Sequence, residues 1–152
     1  MHCALPWEKG APPHVGLAPM AGVTDAATRV LCFEQGADWA VSEMLSAKGW
    51  VFSGRKNRSA AELLTRFPGE GATGLQLFGR EPEYVARAAR ELESEGFAFI
   101  DLNFGCPAPK IVGNGEGSAL MREPKLLGEV VRAAVRATKL PVTAKIRAGW
   151  DA

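Results

Sequence analysis

Five apolar runs alternate along the chain with stretches of helical spacing. The runs fall at residues 15–18, 39–41, 73–78, 97–103 and 141–146. The first helical stretch has Thr24 as its N-cap, Ala26, Ala27, Val30 and Leu31 as its apolar stripe, and Gly36 as its stop. The second opens at Pro82, places Val85, Ala88, Ala89 and Leu92 on one face, and ends at Gly96. The third covers 124–138, with Leu126, Leu127, Val130, Val131 and Val135 on one face. Residues 48–66 carry the weakest pattern, with a short helix at 59–65. Strand, helix, strand, helix in this order predicts βα units and a parallel sheet. The strands read as continuous apolar runs, as expected when both faces are covered.

Two architectures build such a sheet. A doubly wound sheet that binds a dinucleotide carries GxGxxG after its first strand. Here the first run is followed by Ala18-Pro19-Met20-Ala21-Gly22. Polar residues instead gather where each strand ends: Met20 with Thr24, Glu43, Gln76, Asn103 with Cys106, and Lys145 with Arg147. That distribution is the pattern of a barrel active site. The fold class is therefore α/β of the (β/α)8 TIM-barrel type, with about the first five units in 1–152.

Composition narrows the function classes. With 47% hydrophobic residues, 23% charged and a net charge of +1, disorder is not expected. No apolar stretch approaches the ~18 residues of a membrane span, and residues 1–10 hold no apolar run that would make a secretory signal. A cytoplasmic location without membrane contact is the expectation. Cys3, Cys32 and Cys106 are odd in number and widely spaced, which fits no disulfide framework. There is no CxxC, and His2 and His14 are the only histidines, so no metal site is expected. A sequence pI of about 7.7 leaves any RNA contact to a local patch. The cation groups Arg55, Lys56 and Arg58, and Arg132, Arg136 and Lys139, read as solvated surface. Gly113, Gly115 and Gly117 read as a mobile loop, because no Lys-Ser/Thr follows as a phosphate loop requires.

The chemistry concentrates in Asp101-Leu102-Asn103-Phe104-Gly105-Cys106-Pro107. Asn103 offers both a donor and an acceptor, which suits the edge of a base or a flavin ring. Cys106 stands on a loop at the mouth of the sheet. Its thiol is a nucleophile, a ligand, a proton donor or simply a small buried hydrophobe. No partner base is near it in sequence, which argues for a general acid rather than a thiolate. Lys145 and Arg147 stand two apart on a strand and share a side. They either reach solvent or face an electron-rich partner, such as the N1–C2 carbonyl region of a flavin. Gln76 is a lone polar residue in an apolar strand, bound to a ligand or to backbone. Ala18, Pro19 and Met20 form a rigid strand end on which a flat ring can lie.

Taken together, these motifs resemble the tRNA-dihydrouridine synthases, most closely their bacterial B-type branch. The matching stretches are Ala18-Pro19-Met20-Ala21-Gly22-Val23-Thr24-Asp25, Ser42-Glu43-Met44, Gln76-Leu77-Phe78-Gly79, the Asp101 to Pro107 motif continued by Ala108-Pro109-Lys110, Gly117-Ser118-Ala119-Leu120-Met121, and Pro141 through Asp151. The resemblance implies an FMN enzyme on a TIM barrel that reduces particular uridines in tRNA, with NADPH as reductant. It implies hydride transfer from N5 of reduced FMN to uracil C6, and a proton from Cys106 to C5. By motif match, Ala18, Pro19, Met20, Gln76 and Lys145 bind the cofactor, and Asn103 and Arg147 hold the flipped uracil. The family usually carries an aromatic where Thr28 stands, a departure expected to concern packing. It also implies that 1–152 is the N-terminal portion of the catalytic domain, with later strands, the FMN phosphate site and a helical tRNA-binding domain outside it. Unpaired barrel edges are then open to self-association. Two alternatives stay open: a catalytically inert truncated fragment, and an FMN barrel acting on free pyrimidines, of dihydroorotate type.

Overall fold

Apolar strands covered on both faces pair in parallel, and each parallel step needs a crossover to return the chain. The computed structural model describes residues 5–8 and 14–151. His2, Cys3 and most of the opening ten residues lie outside them. Five strands form one parallel sheet in the order β1-β2-β3-β4-β5: Gly16–Leu17, Trp39–Ser46, Ala72–Phe78, Phe99–Asn103 and Val142–Lys145. Six helices lie between them: α1 Ala26–Glu34, α2 Ala47–Ser53, α3 Arg58–Leu63, α4 Pro82–Glu91, α5 Pro109–Val112 and α6 Pro124–Ala137.

Strand order settles the architecture. Parallel crossovers are right-handed, so strands added in sequence put every connecting helix on the same face of the sheet. A doubly wound sheet must reverse its order somewhere, and this one does not. The sheet is therefore an incomplete (β/α)8 barrel, with helices outside and the opposite face turned inward. The outer core packs Leu75, Leu77, Ile100 and Leu102 of β3 and β4 against Val85, Ala88, Ala89 and Leu92 of the α4 region and Val130 and Ala134 of α6.

The inner face has an aromatic floor. Trp39 of β2 and Phe99 of β4 lie with ring centroids 6.4 Å apart, and Trp7, from a short 3-10 helix at Pro6–Glu8, packs tilted against Trp39 at 4.8 Å and edge-on to Phe99 at 5.5 Å. Glycines on the neighbouring strands make this space. A Cβ on Gly16 would lie 2.1 Å from the Trp39 ring, and one on Gly74 would lie 2.3 Å from the Phe99 ring. A buried ion pair fixes the β1–α1 connection. Arg29 is 2% exposed; it donates to Glu70 at 2.9 and 3.1 Å and to the carbonyls of Thr24 and Thr65 at 2.8 and 2.9 Å.

Several local expectations change. The N-cap of α1 is Asp25, whose side chain accepts from the Thr28 N–H at 2.8 Å; Thr24 is fully buried and bonds to Met20 instead. Leu31 and Val135, expected in the apolar stripes of α1 and α6, are exposed. The buried positions are Ala26 and Arg29 in α1, and Val130 and Ala134 in α6. A step of four residues keeps a helical face, and a step of five leaves it. The weak 48–66 stretch holds two helices: α2, capped by Ser46 accepting from Gly49 N–H at 3.1 Å, and α3, capped by Asn57. Gly36, at φ +96 just past α1, and Pro82, opening α4, stand where expected.

The glycine floor yields a stability prediction. Gly74→Ala is expected to lower unfolding free energy by about 1–3 kcal/mol through overpacking against Phe99. Chemical denaturation should show the loss, and Phe99→Leu in the same chain should recover part of it, because the two sites share one contact.

Candidate active site

The C-terminal ends of the strands gather polar side chains on the inner face. Register places Gln76 beside Asp101 and Asp101 beside Thr143, with Asn103 beside Lys145 one step higher. A bulge in β2 brings Met44 level with Gln76. It shifts the strand by one residue, so Val41 and Met44, three apart, both face inward. Ser42 within the bulge accepts the Gln76 N–H at 3.1 Å.

Buried polar groups need partners, and this row supplies its own. Gln76 Nε2 donates to Asp101 Oδ2 at 2.6 Å, and Thr143 Oγ1 donates to Asp101 Oδ1 at 2.6 Å. Asn103 Nδ2 donates to Gln76 Oε1 at 2.9 Å. Asn103 Oδ1 accepts the N–H groups of Gly105 and Cys106 at 3.2 and 3.0 Å. Burial pushes the Asp101 carboxyl above its ordinary value of 3.8, against the pull of its donors Thr143 and Gln76 and of the Lys145 charge.

Cys106 is half-buried on the turn after β4. Its carbonyl accepts the Ser118 N–H at 2.9 Å. Gly117, at φ +59, sits so close that a Cβ there would meet this carbonyl at 2.6 Å. The C-terminal end of the glycine-rich 113–117 segment is thus packed against the cysteine turn, while Gly113 and Asn114 are exposed. The segment runs from α5 into a 3-10 helix at Gly117–Arg122. Arg147 clamps the turn from the other side, donating from Nε to the Gly105 carbonyl at 2.6 Å.

Pro19, Gln76, Asn103, Cys106, Lys145 and Arg147 line one cavity of about 240 Å³, together with Ala21, Met44, Gly105 and Pro107. Ala18 lines an adjoining cavity of about 260 Å³ above the aromatic floor, which shares Pro19 and Lys145 with the first. Met20 lines neither. Its side chain is exposed, and both its backbone N–H and its carbonyl are taken by Thr24. Lys145 and Arg147 meet the same cavity although β5 ends at Lys145. No carboxylate lines the 240 Å³ cavity: its charged groups are cations, and each amide keeps one N–H beyond those already bonded. Such a donor-rich wall accepts the acceptor-rich edge of a flat ring. Pro19, Ala21 and Met44 give it an apolar side.

Asp101, Thr143 and Ser42 belong to the site through contacts between strands, which no local motif marks. The one signal for Asp101 was an acid inside an otherwise apolar strand. His14, the one histidine among the described residues, pairs with Asp38 at 3.8 Å, beside β1's start and away from the cysteine cavity. Arg55 pairs with Glu95, and Arg58 with Glu62 at 2.8 Å, in line with solvated surface. Among the described residues, no group of three or more His, Cys, Asp or Glu could hold a metal, and no helix is long and apolar enough to cross a membrane.

Six of the eight candidate site residues, carried at the ends of β1, β3, β4 and β5, thus meet at one cavity. The family model for dihydrouridine synthase (Dus) matches residues 16–152. The chain belongs to the dihydrouridine synthase family. It is similar to tRNA-dihydrouridine synthase B of Shewanella oneidensis, 45% identical over 135 residues, which are 89% of this chain and 41% of that protein. It is 43% identical to a probable tRNA-dihydrouridine synthase of Rickettsia prowazekii over 91% of this chain and 42% of that one. Against tRNA-dihydrouridine synthase B of Vibrio parahaemolyticus the identity is 44% over 89% of this chain and 41% of the relative. The chain thus spans about two-fifths of the length of these curated relatives.

The raised Asp101 carboxyl has a stability consequence. A carboxyl with a raised folded pKa stabilises the fold most below its unfolded value, and that contribution is lost as pH rises through the folded pKa. Stability of the natural chain relative to Asp101→Asn should therefore fall as pH climbs from about 3.8 upward, and level off once the folded carboxyl has ionised. Parallel urea titrations across that window check it; a difference that does not vary with pH contradicts the assignment.

Proposed function

We propose that this chain is the cofactor- and base-binding part of an enzyme that reduces uridine to 5,6-dihydrouridine in tRNA, using FMN and NADPH. The observation that carries this reading is the single cavity in which a half-buried thiol faces amide and cationic donors, with no carboxylate or histidine lining it. Family membership and the names of the curated relatives support the same substrate.

The cavity's donor set fits the acceptor-rich edge of an isoalloxazine. Gln76 and Lys145 would hold that edge, and the backbone of Ala18 and Pro19 would lie along the ring, while Met20, expected beside them, is turned away by its bonds to Thr24. The chemistry an FMN supplies when bound there is hydride transfer from N5 to uracil C6, with NADPH as the source of electrons. Asn103 and Arg147 orient the uracil, whose carbonyls take their N–H donors. The base must leave its stack to reach them. Cys106 Sγ–H protonates C5, and the thiolate then regains its proton from solvent. A general acid needs no adjacent base, which agrees with the cavity lining. Hydride and proton together saturate the C5–C6 bond and leave the ring otherwise unchanged.

The outer edges of β1 and β5 have no strand partner among the described residues, which supports their taking up further strands, including those of a second copy. A tRNA enzyme without a membrane-crossing helix among its described residues is read here as cytoplasmic. An FMN barrel for free pyrimidines is the second reading. The Lys145-Ile146-Arg147 stretch and the Cys106 turn favour tRNA. Activity on folded tRNA but not on free uracil separates the two.

In the full-length enzyme, Cys106→Ala should leave flavin reduction by NADPH intact and slow uridine reduction by roughly 10²–10⁴-fold, the usual worth of a general acid. Rapid-mixing kinetics on reduced enzyme and tRNA measures both steps. Unchanged dihydrouridine formation removes Cys106 from the acid role.

A further inference from the structure

A backbone N–H can only donate, and a carboxylate can only accept. These two groups stand at opposite ends of one hydrogen-bond chain across the inner face. At one end, the N–H groups of Gly105 and Cys106 require Asn103 to turn its Oδ1 toward them. Asn103 Nδ2 must then donate to Gln76 Oε1, and Gln76 Nε2 is left facing Asp101. At the other end, Asp101 accepts on both oxygens, from Gln76 and from Thr143. A half-turn of either amide would set donor against donor or acceptor against acceptor. Gln76 is 1% exposed, Asp101 5% and Asn103 8%, so water offers a mispaired amide little relief.

We propose that Asp101 is a positioning residue for Cys106. By accepting from Gln76, it holds the two amides in the one orientation that lets Asn103 grip the cysteine turn. The thiol and the carboxylate do not touch; the effect passes through two side chains. The same polarity commits one N–H of each amide and leaves the other uncommitted. Asp101 therefore also keeps Gln76 and Asn103 as donors toward whatever occupies the cavity. The bearing of this chain on the reaction rests on the function proposed above, whereas its existence does not.

The test is backbone hydrogen exchange on the full chain, read residue by residue by NMR. In Asp101→Leu, the Cys106 N–H should exchange roughly three- to tenfold faster, about the worth of one hydrogen bond. The amides of Leu75 in β3 and Ile100 in β4 should keep their rates. Asp101→Asn retains an acceptor toward Gln76 and should restore protection at Cys106. Gln76→Met cuts the chain in its middle and should reproduce the Asp101→Leu pattern, so the proposal stays testable where Asp101→Leu does not fold. An unchanged Cys106 rate in a folded variant overturns the proposal, and so does a rise shared equally by the strand amides. Either failure leaves the proposed reaction to be judged by the Cys106→Ala kinetics alone.

Discussion

A strand buried against helices on one side has only its other side to give to a site. In β3 and β4 the outer side is Leu75, Leu77, Ile100 and Leu102, and the inner side is Gly74, Gln76, Phe99, Asp101 and Asn103. The alternation is strict, so the polar side chains have nowhere to go but inward, next to one another. Each costs free energy unless it is bonded, and each bond constrains the next. The rest of the site depends on this row. Asn103 sets the turn that carries Cys106, and Arg147 and Ser118 close on that turn from outside.

Below the polar row, the inner face changes character. Trp7, Trp39 and Phe99 fill the floor, and glycines at 16 and 74 leave room for the rings. Large against small is how a barrel interior is filled without voids. The floor supplies apolar burial and the rim supplies chemistry, which is the division expected along barrel strands. The Arg29–Glu70 pair does comparable work outside the sheet. Arg29 binds the Thr24 carbonyl, and Thr24 binds the backbone of Met20, so a buried guanidinium helps shape the loop at the end of β1.

Much of this was legible in the residues. Strand order and barrel type followed from the alternation of apolar runs and from polar residues at strand ends. Six candidate site residues met at one cavity because strand ends on the same side of a parallel sheet must converge. What escaped reading has physical causes. The bulge at Ser42 and Glu43 depends on pairing with β3, which no local pattern announces. The tight packing of Gly117 on Cys106 is a long-range contact made by a segment that reads locally as flexible. The burial of Arg29 has no local signature, because its partner Glu70 lies far along the chain. Asp101 had no assigned role, since its meaning comes from Gln76 on one neighbouring strand and Thr143 on the other.

The function proposed for this donor-rich rim is to bind a flavin by its acceptor edge. The most direct measurement is a titration of the chain with FMN, followed by the visible absorbance of the flavin. A saturable shift of the flavin band that weakens when Lys145 is replaced by methionine is expected. A spectrum that stays that of free flavin at every protein concentration, with the chain folded, contradicts it.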